Sequence, residues 1–335
     1  MLHRWTAWKA QWARWRGLAV VVLFAVAVFW LVPLPGITAV LQTITPSMLL
    51  WAFLCWGLQH YLTALRLRLL ATRQQIALTT PQVLAINLTV SFYQLFLPGT
   101  VAGAGLRWYR MTQAGGEKGA ALTAVALNRL LDAFFGVTLG LAFWLLARQG
   151  DVVLGWVVLL GMVGLTAVCW LLFARLAPHL LGWLHSQMAR WQQRWLVWLL
   201  EWVARLLVGT VAFAETAVVD LLLLGLVGAA QFLSTILTFV FLAWAVGVNL
   251  PLLLLGAIRS ALQFTSLIPF AFLGVREAGL LALLTTMGVT AEKAVALSLL
   301  LAAQSVLTAL LGGIIEIVQK TFSRSTQFET SEWIP

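Results

Sequence analysis

The chain has 335 residues, 62% of them hydrophobic and 10% charged, with a formal net charge of +10. So small a charged fraction excludes a water-soluble domain of this length, in which about a quarter of the residues would be charged. The positive excess does not point to nucleic acid either, because Lys and Arg gather in cytoplasmic loops of membrane proteins against anionic headgroups.

Apolar runs of roughly 18 or more residues, enough to cross ~30 Å of hydrocarbon, recur along the whole chain. No hydrophilic stretch is long enough to fold separately, so residues 1–335 read as a single, all-α, polytopic membrane domain. The 18 Trp residues suit a chain with two membrane interfaces. A first span at about 17–33 follows Arg4, Lys9, Arg14 and Arg16. No small-residue cleavage site follows it, so it reads as an uncleaved helix. A second span, about 47–69, ends among Arg66, Arg68 and Arg73. A third apolar helix starts near Pro81 and stops at Leu97-Pro98-Gly99; the stretch from Thr100 to Gly105 carries no helix signal. A short helix then bears Arg107 and Arg110 and ends at Gly115-Gly116.

Two long spans follow, about 119–147 and 152–175. Residues 178–208 set Gln187, Arg190, Arg194, Glu201 and Arg205 on one helical face beside four Trp residues, the pattern of an amphipathic helix lying in the interface. A further span covers about 216–247, and a half-helix runs from Pro251 to Pro269. A loop leads into Gly274-Val275-Arg276-Glu277 and a second short helix ending at Gly288, before a last span at about 291–319.

The two broken segments look like one unit used twice. Pro98 and Gly103 are separated as Pro269 and Gly274 are, and Asn87, Ser91 and Gln94 have the spacing of Arg259, Gln263 and Ser266. This defines repeat one at about 47–147 and repeat two at about 216–319, with the interfacial helix at about 178–208 between them. With both termini cytoplasmic, the basic loops fall inside only if each broken segment enters and leaves on the same side. The expected fold is therefore about six full transmembrane helices plus two re-entrant hairpins related as an inverted repeat. In the alternative the broken segments cross fully and leave basic loops outside.

Irregular backbone at membrane depth survives where protein or a wet cavity surrounds it, so the breaks at Pro98-Gly99…Gly103 and Pro269…Gly274 point to a shared interior. A simple kink at each is the plainer alternative. Arg129 and Asp132 lie three residues apart, roughly 15 Å into a span, and are expected to pair, for structure or for function. Arg107, Arg110, Arg129, Arg259 and Arg276 outnumber the acids Asp132 and Glu277 near the breaks. That excess suits an anionic group such as a lipid phosphate, which the planar guanidinium matches. For Arg107 and Arg110 the alternative is snorkelling to headgroups. Asn87, Ser91, Gln94 and Gln263 read as cavity lining or as interhelical hydrogen bonds. Cys55, Cys169 and the four histidines show no metal-ligand spacing, and no phosphate-binding loop is present, so no metal or cofactor is expected.

Leu97-Pro98-Gly99…Gly103…Arg107, Asn128-Arg129-Leu130-Leu131-Asp132, Pro269…Gly274-Val275-Arg276-Glu277-Ala278 and Gly288-Val289 together resemble the flippase-like domain family. This family is related to the membrane region of lysylphosphatidylglycerol synthase, the multiple peptide resistance factor. The resemblance covers about 15–320 and implies a lipid-handling domain with re-entrant helices meeting at a central cavity. The chain departs from the family pattern at Ala104-Gly105, Asn128 and Gln304, where family members often carry charged residues. It shows no aminoacyl-transferase region, so lipid lysylation is not expected. The resulting expectation is a flippase-like transporter moving an anionic or phosphate-bearing lipid between leaflets, with Arg129, Arg259 and Arg276 receiving the headgroup. Its partners would be anionic membrane lipids; a homo-oligomer or an associated lipid-modifying enzyme is compatible, in a bacterial cytoplasmic membrane. The alternatives are an integral membrane transferase acting on a lipid, for which no catalytic motif is found, and a lipid-binding subunit that does not transport.

Overall fold

The computed structural model describes residues 39–94 except Leu41, 100–149, 218–265 and 275–331, with isolated positions between 153 and 208. The expected span at 17–33, most of the span at 152–175 and of the interfacial stretch 178–208, Cys169, Pro98-Gly99 and the segment from Pro269 to Gly274 lie outside the described residues. The ordered elements among the described residues are helices: α1 (Pro46–Arg73), α2 (Thr80–Gln94), α3 (Thr100–Gln113), α4 (Lys118–Gln149), α5 (Val218–Ala245), α6 (Leu252–Thr265), α7 (Val275–Thr286) and α8 (Ala291–Ser331). Four stretches, Pro46–Arg73, Lys118–Ala147, Val219–Ala245 and Ala291–Gln319, are long and apolar enough to cross a bilayer. They are the spans of an integral membrane protein.

The same device ends four of these helices. After α1, α3, α5 and α7 a residue turns into the left-handed region: Gln75 at φ 58°, Gly115 at 98°, Gly247 at 74° and Gly288 at 78°. The next N–H reaches back to a carbonyl five residues earlier: Ile76 to Ala71 at 2.9 Å, Gly116 to Met111 at 3.2 Å, Val248 to Ala243 at 2.9 Å and Val289 to Leu284 at 3.1 Å. This closure satisfies carbonyls that the helix end would otherwise leave without partners. Ile76 and Val248 follow it as fully buried apolar residues, as the closure requires.

α1 and α5 run antiparallel against each other. At one end the Thr45 N–H donates to the Ala245 carbonyl at 3.2 Å; at the other Arg73 is paired with Asp220. α2 begins at the Arg73 end, where Arg68 Nη1 donates to Thr80 Oγ1 at 3.2 Å. α3 returns to that end, since Gly116, just beyond it, lies against the Ile76 side chain. α6 and α7 begin and finish at the opposite end, where Lys293 Nζ at the start of α8 donates to the Gly247 carbonyl at 2.8 Å.

The packing partners follow an exchange pattern. α2 lies on α8, where a side chain at Gly312 would collide with the Leu88 carbonyl oxygen, and α6 lies on α4, where Gly140 faces Ser260 and Gly256 faces Phe143. α1 packs on α2 and α5 on α6, while α3 touches α4 and α7 touches α8. Two apolar clusters result. One gathers Phe232, Ile236, Phe239, Leu255, Leu280 and Leu297; the other gathers Leu67, Leu70, Ile76, Met111 and Val125 around the first two helices.

Three boundaries differ from the sequence reading. α1 continues to Arg73 instead of ending near 69, which buries Arg66 completely within the bundle instead of leaving it at the cytoplasmic edge. α3 begins at Thr100, in the stretch read as lacking helix, because the glycines there serve packing: the Gln94 side chain lies over Gly103 and occupies the space a Cβ would need. α8 runs to Ser331, past 319, since hydropathy ends there but no Gly or Pro follows to break the helix.

Candidate functional site

A cavity of about 350 Å³ lies between α1, α2, α5, α6 and α8. Its polar lining includes Gln59 and His60 from α1, Gln94 from α2, Arg259 from α6, and Gln304 and Thr308 from α8. Phe239, Leu262 and Leu301 supply apolar wall. In a membrane interior such a lining costs free energy unless water or a polar ligand meets it. The residues are long amides, hydroxyls and a guanidinium, so the cavity offers hydrogen bonds in many directions and positive charge at Arg259.

A second polar group sits where α1 to α4 converge. Arg66 Nε donates to Asn128 Oδ1 at 2.9 Å, and Arg66 Nη2 is ion-paired with Asp132. Asn128 and Asp132, four residues apart, share one face of α4, so a single guanidinium spans both. Arg107 Nε donates to Asn87 Oδ1 at 2.8 Å, and Arg107 is within electrostatic reach of Arg129, Asp132 and Arg66. The group touches the cavity wall in at least two places: cavity-lining Ser91 donates its hydroxyl to the Asn87 carbonyl at 3.0 Å, and Gln263, next to cavity-lining Leu262, donates from Nε2 to the Asp132 carbonyl oxygen at 3.2 Å.

A third group joins α2, α3 and α8. Arg110 Nη2 donates to both oxygens of Glu316 at 2.7 Å, and Tyr93 Oη donates to Glu316 Oε1 at 2.9 Å. Glu316 is buried, so its charge is tolerated because these donors surround it. Arg110 also lies over the Tyr93 ring, 5.9 Å from its centroid.

A family model for the lysylphosphatidylglycerol synthase TM region matches residues 15–313. The chain belongs to this family. No curated protein and no solved structure matches it. Membership in the lysylphosphatidylglycerol synthase TM family gives a membrane function connected with lipid. It places the polar groups above inside a lipid-related membrane domain.

The nine residues singled out in the sequence fall into different places. Gln94 and Arg259 line the cavity. Asn87, Arg107, Arg129 and Asp132 belong to the α1–α4 group, with Gln263 linking that group to the cavity wall. Glu277 is buried in the first turn of α7. Arg276 stands beside it on described backbone, with its side chain outside the described residues. The expected Arg129–Asp132 pair is corrected: the Asp132 carboxylate is taken by Arg66, and Arg129 has no ion pair among the described residues. Arg110 pairs with Glu316 in the protein interior, which replaces the snorkelling alternative for it.

Sequence reading missed Arg66, Asn128, Tyr93 and Glu316. Arg66 offered a usable signal: it stands between Ala64, Leu67 and Leu70, all core residues of the same helix. Glu316 offered one too, as a lone acid in the apolar run Gly312 to Val318. Both were hidden by their closeness to basic, loop-like stretches that read as cytoplasmic edges.

Proposed function

We propose that this chain moves an anionic or phosphate-bearing lipid between leaflets, the headgroup passing through the cavity that holds Arg259. The observation carrying this reading is the cavity of about 350 Å³, lined by a guanidinium and several amides, between helices apolar enough to span a bilayer. A solvated headgroup needs such a polar interior, and its acyl chains can stay in the surrounding hydrocarbon.

In this reading α2–α3 and α6–α7 are re-entrant hairpins entering from opposite faces, and the two units form an inverted repeat. The contact of Ile76 with Gly116 and the bond of Lys293 to the Gly247 carbonyl support it, since each brings the two ends of one hairpin to one side. The exchange of partners, α2 with α8 and α6 with α4, and the matched helix closures support it further. The end carrying Arg68 and Arg73 is then cytoplasmic, in a bacterial inner membrane.

The test is headgroup translocation in proteoliposomes with labelled phosphatidylglycerol and, for comparison, phosphatidylcholine. Wild type should move the anionic lipid faster, and Arg259→Gln should reduce that rate at least tenfold. Unchanged rates in Arg259→Gln, or no movement by wild type, would sink this reading.

A further inference from the structure

The α1–α4 group is built almost entirely of donors. Arg66 is fully buried, and two of its three nitrogens are engaged by Asn128 and Asp132. The third, Nη1, finds no partner among the described residues. Asn87 is 6% exposed; its oxygen is taken by Arg107, and its Nδ2 likewise finds no partner. Buried nitrogen donors are rarely left in this state, because each costs about 1–3 kcal/mol, more when the group is charged.

The charge is one-sided as well. Arg107 lies within electrostatic range of two further cations, Arg66 and Arg129, and of one carboxylate, Asp132, which is already ion-paired with Arg66. The side-chain oxygens of Asn87 and Asn128 accept from guanidiniums, and the buried unpartnered atoms of the group are the N–H donors Arg66 Nη1 and Asn87 Nδ2. Its complement is a compact anion with several acceptor oxygens and no obligatory donor. A water molecule would accept from these donors without offsetting the charge, and a carboxylate would offer only two oxygens.

We propose that this group is an oxyanion site of the phosphate class, formed by Arg66 Nη1 and Asn87 Nδ2 with Arg107 beside them, and distinct from the Arg259 cavity. None of these residues lines that cavity, but its wall is joined to the group by Ser91, whose hydroxyl donates to the Asn87 carbonyl at 3.0 Å, and by Gln263 through the Asp132 carbonyl. Asp132 and Asn128 hold Arg66 in place with two of its nitrogens, so that its remaining edge serves the anion. The phosphate can come from a lipid headgroup or from free phosphate, and the site stands on its own donors whether or not the chain moves lipid.

The experiment uses the full chain purified in uncharged detergent in anion-poor buffer. Melting is followed with added inorganic phosphate, and native mass spectrometry counts phospholipid retained after nanodisc extraction. A phosphate-dependent rise in melting temperature identifies free phosphate as a ligand; a retained phospholipid identifies the lipid source. Whichever appears in wild type should be lost in Asn87→Leu and kept in Gly57→Ala, a variant outside both polar groups. Asn87→Asp supplies a negative charge at the same place, so it should melt above wild type without phosphate and gain nothing when phosphate is added. The proposal is overturned if neither phosphate nor lipid binding differs between wild type and Asn87→Leu. It is equally overturned if Asn87→Asp melts below wild type in anion-poor buffer.

Discussion

Asp132 takes its ion pair from Arg66, 66 residues earlier on α1, instead of from Arg129 in its own helical turn. The choice follows from where the two arginines sit. Arg66 is fully buried, whereas Arg129 is half-buried. A fully buried arginine needs a carboxylate more than one that is partly solvated. Asn128, one turn before Asp132, completes the seat.

This pairing predicts an asymmetry. Asp132→Leu leaves three guanidiniums without their carboxylate and should cost about 3 kcal/mol, the low end for a broken buried pair because the Asp132 side chain is 25% exposed. Arg66→Leu removes a cation from a group with cations in excess and should cost less. The double variant should recover part of the loss, with coupling above about 1 kcal/mol. Equilibrium unfolding in mixed detergent reads all three. Equal costs for the two single variants would contradict the charge count.

Glu316 ties the α2–α3 pair to α8. Lysine lacks the planar guanidinium that lies over the Tyr93 ring while one of its nitrogens holds both Glu316 oxygens, so Arg110→Lys should lose about 1 kcal/mol. Tyr93→Phe removes the third donor and should lose about 1 kcal/mol. If the tie is made as described, both variants should raise proteolysis between α2 and α3. Wild-type cleavage rates in both would argue that Glu316 is held by other means.

Gln75 and Gly247 close corresponding helices, but only one of them is glycine. A side chain in the left-handed region costs about 1–2 kcal/mol, offset in part by the extra freedom glycine has when unfolded. Gln75→Gly should therefore stabilise the protein by about 0.5–1 kcal/mol. Gly247→Ala should destabilise it by about 1 kcal/mol. Melting midpoints in one detergent give both signs; a drop for Gln75→Gly would show that the side chain contributes more than the backbone strain removes.

Glycine matters differently at Gly312 and Gly57. A Cβ at Gly312 would meet the Leu88 carbonyl, which is backbone and cannot rotate away, so Gly312→Ala must push α8 off α2. A loss of about 1–3 kcal/mol is expected, the usual range for overpacking. Gly57 has nothing within 4 Å of that position, and Gly57→Ala should be neutral or stabilise by up to about 1 kcal/mol through helix propensity. Thermal unfolding of the pair of variants separates close helix approach from propensity.

Much of the architecture was legible in the residues alone. Length and hydropathy decide that the chain crosses a membrane, because no other solvent accepts runs as apolar as 219–245. Gly115 and Gly288 mark where α3 and α7 stop, and Pro251 where α6 starts, because backbone chemistry is local. The similar spacing around the two breaks is sequence information too, and it underlies the proposed repeat. Partner choice was not legible. Asp132 could meet Arg129 or Arg66, Gly103 could be a break or a seat for Gln94, and Arg110 could reach headgroups or Glu316. Each of these is settled by which helices touch. In hydrocarbon a buried charge takes whichever opposite charge the packing brings within reach, however far away in the chain.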